Sequence, residues 1–118
     1  MQAEDNHAPD APCSPEEHGA LRPTDRPDEA FDGAVELFKA LANNRRLRTL
    51  ELLSEGEVCA SEIAATFNEP ISTVSHRMKL LESAGLVARR RAGRHVHFRL
   101  IDTHVERLVN DALDHAME

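Results

Sequence analysis

The stretch NEPISTVSHRMKLLESAG, residues 68–85, decides how this chain folds. Its first three residues interrupt a helix, because proline lacks a backbone N–H and disfavours the helical conformation in the residue before it. Apolar residues then recur at helical spacing, and Gly85 predicts where the helix ends. The inward-facing residues of this helix are predicted to be Val74, Met78 and Leu81. The pattern therefore predicts a turn at 68–71 followed by a helix from about 71 to 83.

Three more helices are predicted before this turn. Apolar residues at helical spacing predict the first from about 28 to 41. Asn43 or Asn44 can cap the second, which the sequence SEGE at 54–57 ends. A short third helix is predicted around 60–67.

Beyond Gly85 the apolar period changes from that of a helix to that of a strand. LVARRR at 86–91 and RHVHFRL at 94–100 flank Ala92-Gly93, which predicts a hairpin turn. The last segment, 102–118, carries an apolar stripe at the i, i+3, i+4, i+7 spacing of a helix. The predicted fold class is mainly α with a small β-hairpin, in the order of a winged helix-turn-helix.

Charge divides the 118 residues unevenly. The chain has a net charge of −7, yet residues 1–36 hold ten acidic and two basic residues, while residues 70–99 hold seven basic residues and one acidic residue. A basic segment in an acidic protein is a candidate contact surface for a polyanion. We predict a mobile acidic tail at 1–27 and a DNA-binding and dimerisation domain at 28–118.

The sequence argues against a membrane or secreted protein. No apolar run approaches the roughly 18 residues of a membrane span, and the N-terminus lacks the basic start and apolar centre of a signal peptide. A cytoplasmic protein without a membrane partner is expected. In that compartment Cys13 and Cys59 are expected to be free thiols or metal ligands.

The first two turns of the helix after 68–71 are polar, as expected for a recognition helix in a DNA major groove. The arginine-rich hairpin could lie along the flanking backbone, where phosphate contacts supply salt-dependent affinity. The candidate DNA contacts are Ser72, Thr73, Ser75, His76, Arg77 and Lys79 on the helix, with Arg91 and Arg94 on the hairpin.

Four segments carry a family resemblance: LFKALANNRRLRTLELL, VCASEIA, ISTVSHRMKLLESAGLV and RRAGRHVHFRL. Residues 35–118 resemble the ArsR/SmtB family of bacterial metal-responsive repressors, particularly its SmtB-like zinc sensors. The resemblance implies a homodimer, paired through its terminal helices, that binds operator DNA as apo-protein and releases it on binding metal. It also marks Ser72, Ser75 and His76 as operator contacts.

The last helix carries a candidate metal site in the pattern D-x-H-x10-H-x2-E. On one helix His104 and His115 lie about 16 Å apart but point within about 20° of each other. If this helix packs antiparallel against its copy in a second subunit, Asp102 and His104 face the partner's His115 and Glu118. Two imidazoles and two carboxylates suit Zn²⁺, with Co²⁺ accepted as a mimic. The same pattern is similar to the zinc sensors' site, and the extra histidines of nickel sensors are absent.

The resemblance also implies a second metal site, in which a thiolate at the start of a helix pairs with tail ligands of the other subunit. Cys59 and Glu62 match the helix half. Cys13 and His18 are the tail candidates, with His7 in reserve. Cd²⁺ or Zn²⁺ could bind there.

Other functions are weaker interpretations. A hydrolytic zinc enzyme is not expected, because four protein ligands leave no position for water and no HExxH motif is present. No small organic substrate is expected. A metal-buffering protein and a redox-responsive winged-helix regulator acting through Cys13 or Cys59 remain the alternatives.

Overall fold

The structure is a computed structural model that describes residues 11–118. Its elements run α1 (Pro15–His18), α2 (Asp28–Leu41), α3 (Asn44–Leu53), β1 (Val58–Cys59), α4 (Ala60–Phe67), α5 (Ile71–Ser83), β2 (Val87–Ala92), β3 (His95–Leu100) and α6 (Thr103–Ala116). The winged helix-turn-helix prediction is confirmed: α4 and α5 flank the turn, and β2 and β3 form the wing. The predicted bounds of α2, α4 and α5 agree with the structure.

Side-chain caps and one left-handed residue set the ends of the helices around the turn. The Asn43 side chain accepts a hydrogen bond from the Arg46 N–H at 3.0 Å, so Asn43, not Asn44, caps α3. Asn68 ends α4 in the left-handed conformation, with φ of 53°. Asparagine tolerates this conformation better than most residues, and α5 can therefore start in a new direction at Ile71.

The wing belongs to a three-stranded antiparallel sheet with strand order β1-β3-β2. The third strand, β1, was not predicted; it pairs Val58 with Phe98 and Cys59 with His97. The hairpin turn also differs slightly from the prediction, because Ala92 pairs with His95 as the last rung of the ladder. Gly93, with φ of 63°, and the residue after it make the turn.

Helix α5 lies across the centre of the molecule. Val74, Met78 and Leu81 are fully buried, as predicted. They pack in one cluster with residues of the other elements, including Leu50 of α3 and Ile63 of α4. The inner face of α5 is thus packed into the core, and its outer face stays exposed to solvent.

The two long terminal helices, α2 and α6, keep apolar surface exposed. Phe31, Val35 and Phe38 of α2 are each at least half exposed. On α6 the apolar stripe divides: Val105 and Val109 are buried against the core of their own chain, while other stripe positions such as Ala112 and Ala116 stay exposed. Val105 and Val109 therefore belong to the core of their own chain, where α6 packs over α3 and β3.

The N-terminal segment before α2 is almost entirely exposed from residue 11 onward and contains the single helical turn α1. Residues 1–10, which include the reserve ligand His7, lie outside the described residues. The mobility of the tail stays a prediction. Among residues 11–118 no helix is both long and apolar enough to cross a bilayer.

Candidate DNA-binding and metal-binding sites

The outer face of α5 carries the predicted DNA contacts. Every candidate on this helix except Arg77 is exposed to solvent; these are Ser72, Thr73, Ser75, His76 and Lys79. Buried Val74 and Met78 hold the other side of the helix in the core. The outer face of residues 71–79 therefore presents hydroxyl, imidazole and ammonium groups to solvent, as a recognition helix requires.

A groove lies between α5 and the wing. It encloses about 710 Å³ and is lined by Ser75, His76 and Lys79 from the helix and by Arg89, Arg91 and Arg94 from the wing. The wing candidates Arg91 and Arg94 are both exposed. Cationic side chains on the two walls of one groove suit a phosphate backbone better than any neutral ligand.

Arg77 is a correction to the predicted DNA contacts. Its side chain is only 8% exposed and donates to the Glu69 carboxylate at 2.6 Å. It also donates to the Thr49 hydroxyl at 3.3 Å and lies 5.8 Å from the centre of the Phe67 ring. Arg77 therefore joins α5 to α3 and to the turn, and its burial removes it from the set of candidate DNA contacts.

The candidate ligands of α6 form two pairs at opposite ends of the helix. The Nδ1 atom of His104 lies 3.7 Å from Oδ2 of Asp102, and Nδ1 of His115 lies 3.5 Å from Oε1 of Glu118. Nitrogen and oxygen ligands on one tetrahedral zinc are about 3.4 Å apart. All four side chains are at least half exposed, so each pair could accept an ion without unpacking the core.

The two carboxylate oxygens of Asp102 face different partners. Its Oδ1 atom accepts a hydrogen bond from the Val105 N–H at 3.0 Å and caps α6. The other oxygen, Oδ2, is the one that faces His104. Because the helix cap uses Oδ1 and a metal ion would use Oδ2, the two interactions would compete only for the negative charge that the two oxygens share.

Cys59 and Glu62, the helix half of the predicted second site, meet at the start of α4. The Glu62 carboxylate accepts a hydrogen bond from the Cys59 N–H at 2.9 Å, so it already serves as a helix cap. The Cys59 thiol is buried, 3.4 Å from Ser61 Oγ and 3.9 Å from His95 Nδ1. Hydrogen bonds from Ser61, with smaller contributions from His95 and the Val96 backbone, lower the thiol pKa to about 7.

The tail half of that site forms its own cluster. The ligand atoms of Cys13, Glu17 and His18 all lie within 4.8 Å of one another, and all three residues are exposed. Within residues 11–118 this cluster includes neither Cys59 nor Glu62. One chain therefore does not bring the two predicted halves together, and their meeting across a dimer stays a prediction.

Two residues at these sites, Glu17 and His95, were missed at the level of sequence, and a third, Arg77, was assigned to the wrong environment. Glu17 sits inside the CSPEEH segment and could have been found from its i, i+4 relation to Cys13. No sequence pattern links His95 to Cys59, because only the β1–β3 pairing brings the two residues together. Arg77 lies three residues after buried Val74, so helical periodicity indicates that its side chain lies on the inner face of α5. Its positive charge, in contrast, indicates an exposed side chain.

Comparisons with known proteins agree with this architecture. Residues 43–89 match the family described as bacterial regulatory protein, arsR family. The HTH-type transcriptional repressor SmtB of Mycobacterium tuberculosis is 38% identical over 96 residues, which cover 81% of this chain and 71% of that protein. The chain belongs to the ArsR family.

Two further relatives of this ArsR-family chain have matching sequence or structure. The transcriptional repressor SmtB homolog of Synechocystis is 41% identical over 84 residues, covering 71% of this chain but only 64% of the relative. A homodimeric winged helix-turn-helix DNA-binding domain from Mycobacterium bovis superimposes with a TM-score of 0.74 at 34% identity, covering 84% of this chain and 92% of that one. The two sequence relatives are transcriptional repressors, which confirms the expectation that this chain is not an enzyme.

Proposed function

We propose that this ArsR-family chain is a zinc-sensing transcriptional repressor whose apo-homodimer binds operator DNA. Support for DNA binding comes from the exposed polar face of α5 and from the cationic groove that the wing adds to it. In a dimer, two recognition helices would occupy successive major grooves of one operator face.

The homodimer is supported by the apolar surface that a single chain leaves uncovered. Phe31, Val35 and Phe38 of α2 are about half exposed, and α6 keeps uncovered alanines beside its buried valines. Burying such a surface against a second copy gains free energy from the hydrophobic effect. The relative from Mycobacterium bovis, which shares this fold, is homodimeric.

The observation that carries the zinc proposal is the pairing of an imidazole with a carboxylate at each end of α6, at 3.7 and 3.5 Å. Each pair offers two ligands, whereas a closed zinc site uses four. Antiparallel packing of two α6 helices would complete two equivalent sites, each with Asp102 and His104 from one chain and His115 and Glu118 from the other. Co²⁺ would be accepted in place of zinc.

Zinc would release DNA by selecting one arrangement of the dimer. Metal bound between the α6 helices would fix their relative position, and a ligated histidine's other ring nitrogen could hydrogen-bond backbone near the recognition helix. The zinc-bound spacing of the two α5 helices would then fit the operator poorly. Linkage requires DNA to weaken zinc binding by the same factor as zinc weakens DNA binding.

A fluorescence titration of labelled operator DNA, selected from a random duplex pool, tests this proposal at fixed salt. Zinc should weaken operator binding of the wild-type dimer. A variant carrying His104→Gln and His115→Gln should bind the operator equally well but ignore zinc. A matched control, His18→Gln, should retain the zinc response. Unchanged operator affinity on adding zinc to wild-type protein would refute regulation through α6.

The same titration separates the alternative functions. A metal-buffering protein would bind zinc without preferring any duplex sequence. A redox-responsive regulator would release DNA on oxidation of Cys13 or Cys59, and serine variants of these cysteines that keep the zinc response would exclude it. The second metal site, formed by Cys13 and His18 with Cys59 and Glu62 of the partner, would bind Cd²⁺ or Zn²⁺ and need not control DNA.

A further inference from the structure

We propose that Cys59, His95 and His97 of a single chain form a separate binding site for a thiophilic d¹⁰ cation, Zn²⁺ or Cd²⁺. The site lies on the wing sheet. It shares Cys59 with the predicted tail site but draws its other ligands from the same chain, so the N-terminal tail has no part in it.

Strand register places the three side chains on one face of the sheet. Cys59 of β1 lies directly opposite His97 of β3, and residues that face each other in an antiparallel pair project to the same side. His95 precedes His97 by two positions on β3, so it shares that face too. Val58 and Phe98 belong to the opposite face, where Phe98 is buried in the core.

The distance between Cys59 and His95 is close to that at a bound ion, whereas the ligand atoms of the three residues do not all lie within 4.8 Å of one another. The Cys59 Sγ atom lies 3.9 Å from His95 Nδ1, whereas sulfur and nitrogen on one tetrahedral zinc are about 3.6 Å apart. The ring centres of His95 and His97 are 6.1 Å apart. Two imidazoles on one zinc have centres about 5 Å apart, so the two rings, of which that of His95 is exposed, would have to approach each other by about 1 Å on binding.

Lys79, Arg91 and Arg94 give the groove beside this face a positive charge, which the Cys59 thiolate and one nearby ion pair offset in part. The Ser61 hydroxyl lies 3.4 Å from the Cys59 sulfur, within reach of a hydrogen bond to a thiolate. The nearest strand neighbour of His97 on β2 is Arg90, whose guanidinium is paired with the Glu57 carboxylate at 2.6 Å, which offsets part of its charge. Cys59 and His95 also line the groove between α5 and the wing, which offers an ion a path from solvent.

Binding would displace the thiol proton to solvent and form one sulfur and two nitrogen bonds to the ion. Three protein ligands leave the fourth position of a tetrahedral zinc for water. The ion would tie the start of α4 to the wing strand that begins at the Gly93 turn, and so would stiffen the wing.

The test is a Co²⁺ titration of the reduced full-length protein, because a thiolate bound to Co²⁺ gives a charge-transfer absorption that nitrogen and oxygen ligands do not. The background variant carries His104→Gln and His115→Gln on α6, and Cys13→Ser and His18→Gln in the tail. In this background, one Co²⁺ per chain should still give the thiolate band, and Zn²⁺ or Cd²⁺ should displace it.

Adding His95→Gln or His97→Gln to the background should weaken Co²⁺ binding by more than the roughly 100-fold that loss of an outer-shell partner costs at most. His76→Gln, which alters another histidine of the same groove, should leave Co²⁺ affinity unchanged. Cys59→Ser should abolish the thiolate band. The circular dichroism spectra of the two histidine variants should match that of the background, so that a loss of Co²⁺ affinity cannot come from unfolding. Absence of the band from the background, or a band of undiminished affinity in both histidine variants, would overturn the proposal.

Discussion

Replacing Arg77 by methionine should destabilise the fold strongly while leaving the phosphate contacts of the protein intact. The substitution keeps the length and apolar stem of the side chain but removes the guanidinium that donates to Glu69 at 2.6 Å. Glu69 would then keep only Arg45, whose Nε atom is 3.7 Å away, and one of its oxygens is already buried without a hydrogen-bond partner. A carboxylate would therefore be stranded in a site where it is only 17% exposed.

The size of the effect follows from that geometry. Breaking a buried ion pair by removing one partner costs about 3–5 kcal/mol. Because Glu69 retains partial exposure and the more distant Arg45, we expect the lower end of that range, about 3 kcal/mol. For a domain of this size such a loss lowers the melting temperature by about 10 °C or more. The double variant Arg77→Met, Glu69→Gln removes the stranded charge and should recover most of the loss.

Thermal unfolding at one fixed protein concentration measures the stability, and binding to non-specific duplex DNA at several salt concentrations measures the phosphate contacts. The salt slope should be unchanged in Arg77→Met. The matched control Lys79→Gln, an exposed residue on the same helix, should do the reverse: it should keep its melting temperature and lose about 1.8 units of slope, from one contact in each subunit. An unchanged melting temperature with a reduced slope in Arg77→Met would show that Arg77 contacts DNA.

Three more predictions concern metal binding, thiol ionisation and helix capping. On α6, His115→Gln should nearly abolish zinc binding in a competition titration, whereas Glu118→Gln should weaken it less, because His115 is fixed on the helix and Glu118 lies beyond its last residue, Ala116; equal losses would contradict this ranking. A pH titration of the thiolate absorbance, taken as the difference between wild-type protein and Cys59→Ser, should have its midpoint near pH 7. Because the thiol pKa is lowered from 9.0 in the folded protein, the thiolate should add stability as the pH rises from about 7 to 9. A midpoint near pH 9 would contradict the lowered pKa. Asn43→Ala should cost about 1 kcal/mol in urea unfolding, and Asn44→Ala, whose side chain contacts only an exposed arginine, should cost much less; equal costs would show that the cap is not specific.

Local patterns were enough to predict the helices that build the DNA-binding unit. The bounds of α4 and α5 were predicted from apolar periodicity and from the NEP interruption, since both signals act within a few residues of the chain. The wing was predicted from the change of period after Gly85. The short strand β1 was not, because a strand of two residues is too short for any periodicity to show.

Some contacts among the candidate metal ligands could likewise be predicted from the sequence, and others could not. The two pairs on α6 follow from the sequence, because each joins residues two or three positions apart: Asp102 with His104, and His115 with Glu118. The proximity of Cys59 to His95 could not be predicted, since 36 residues separate them and only strand pairing brings them together.

By itself, the sequence determined the order of the helices, the turn between α4 and α5, and the polar outer face of α5, because these depend on contacts between near neighbours. Only the tertiary structure decided that Arg77 is a buried anchor, that Val105 and Val109 belong to the core of their own chain, and that Cys59 meets the wing. Each of these depends on where a distant segment packs. A side chain's charge or apolar character says which environments suit it, but the packing of other elements determines which environment it receives.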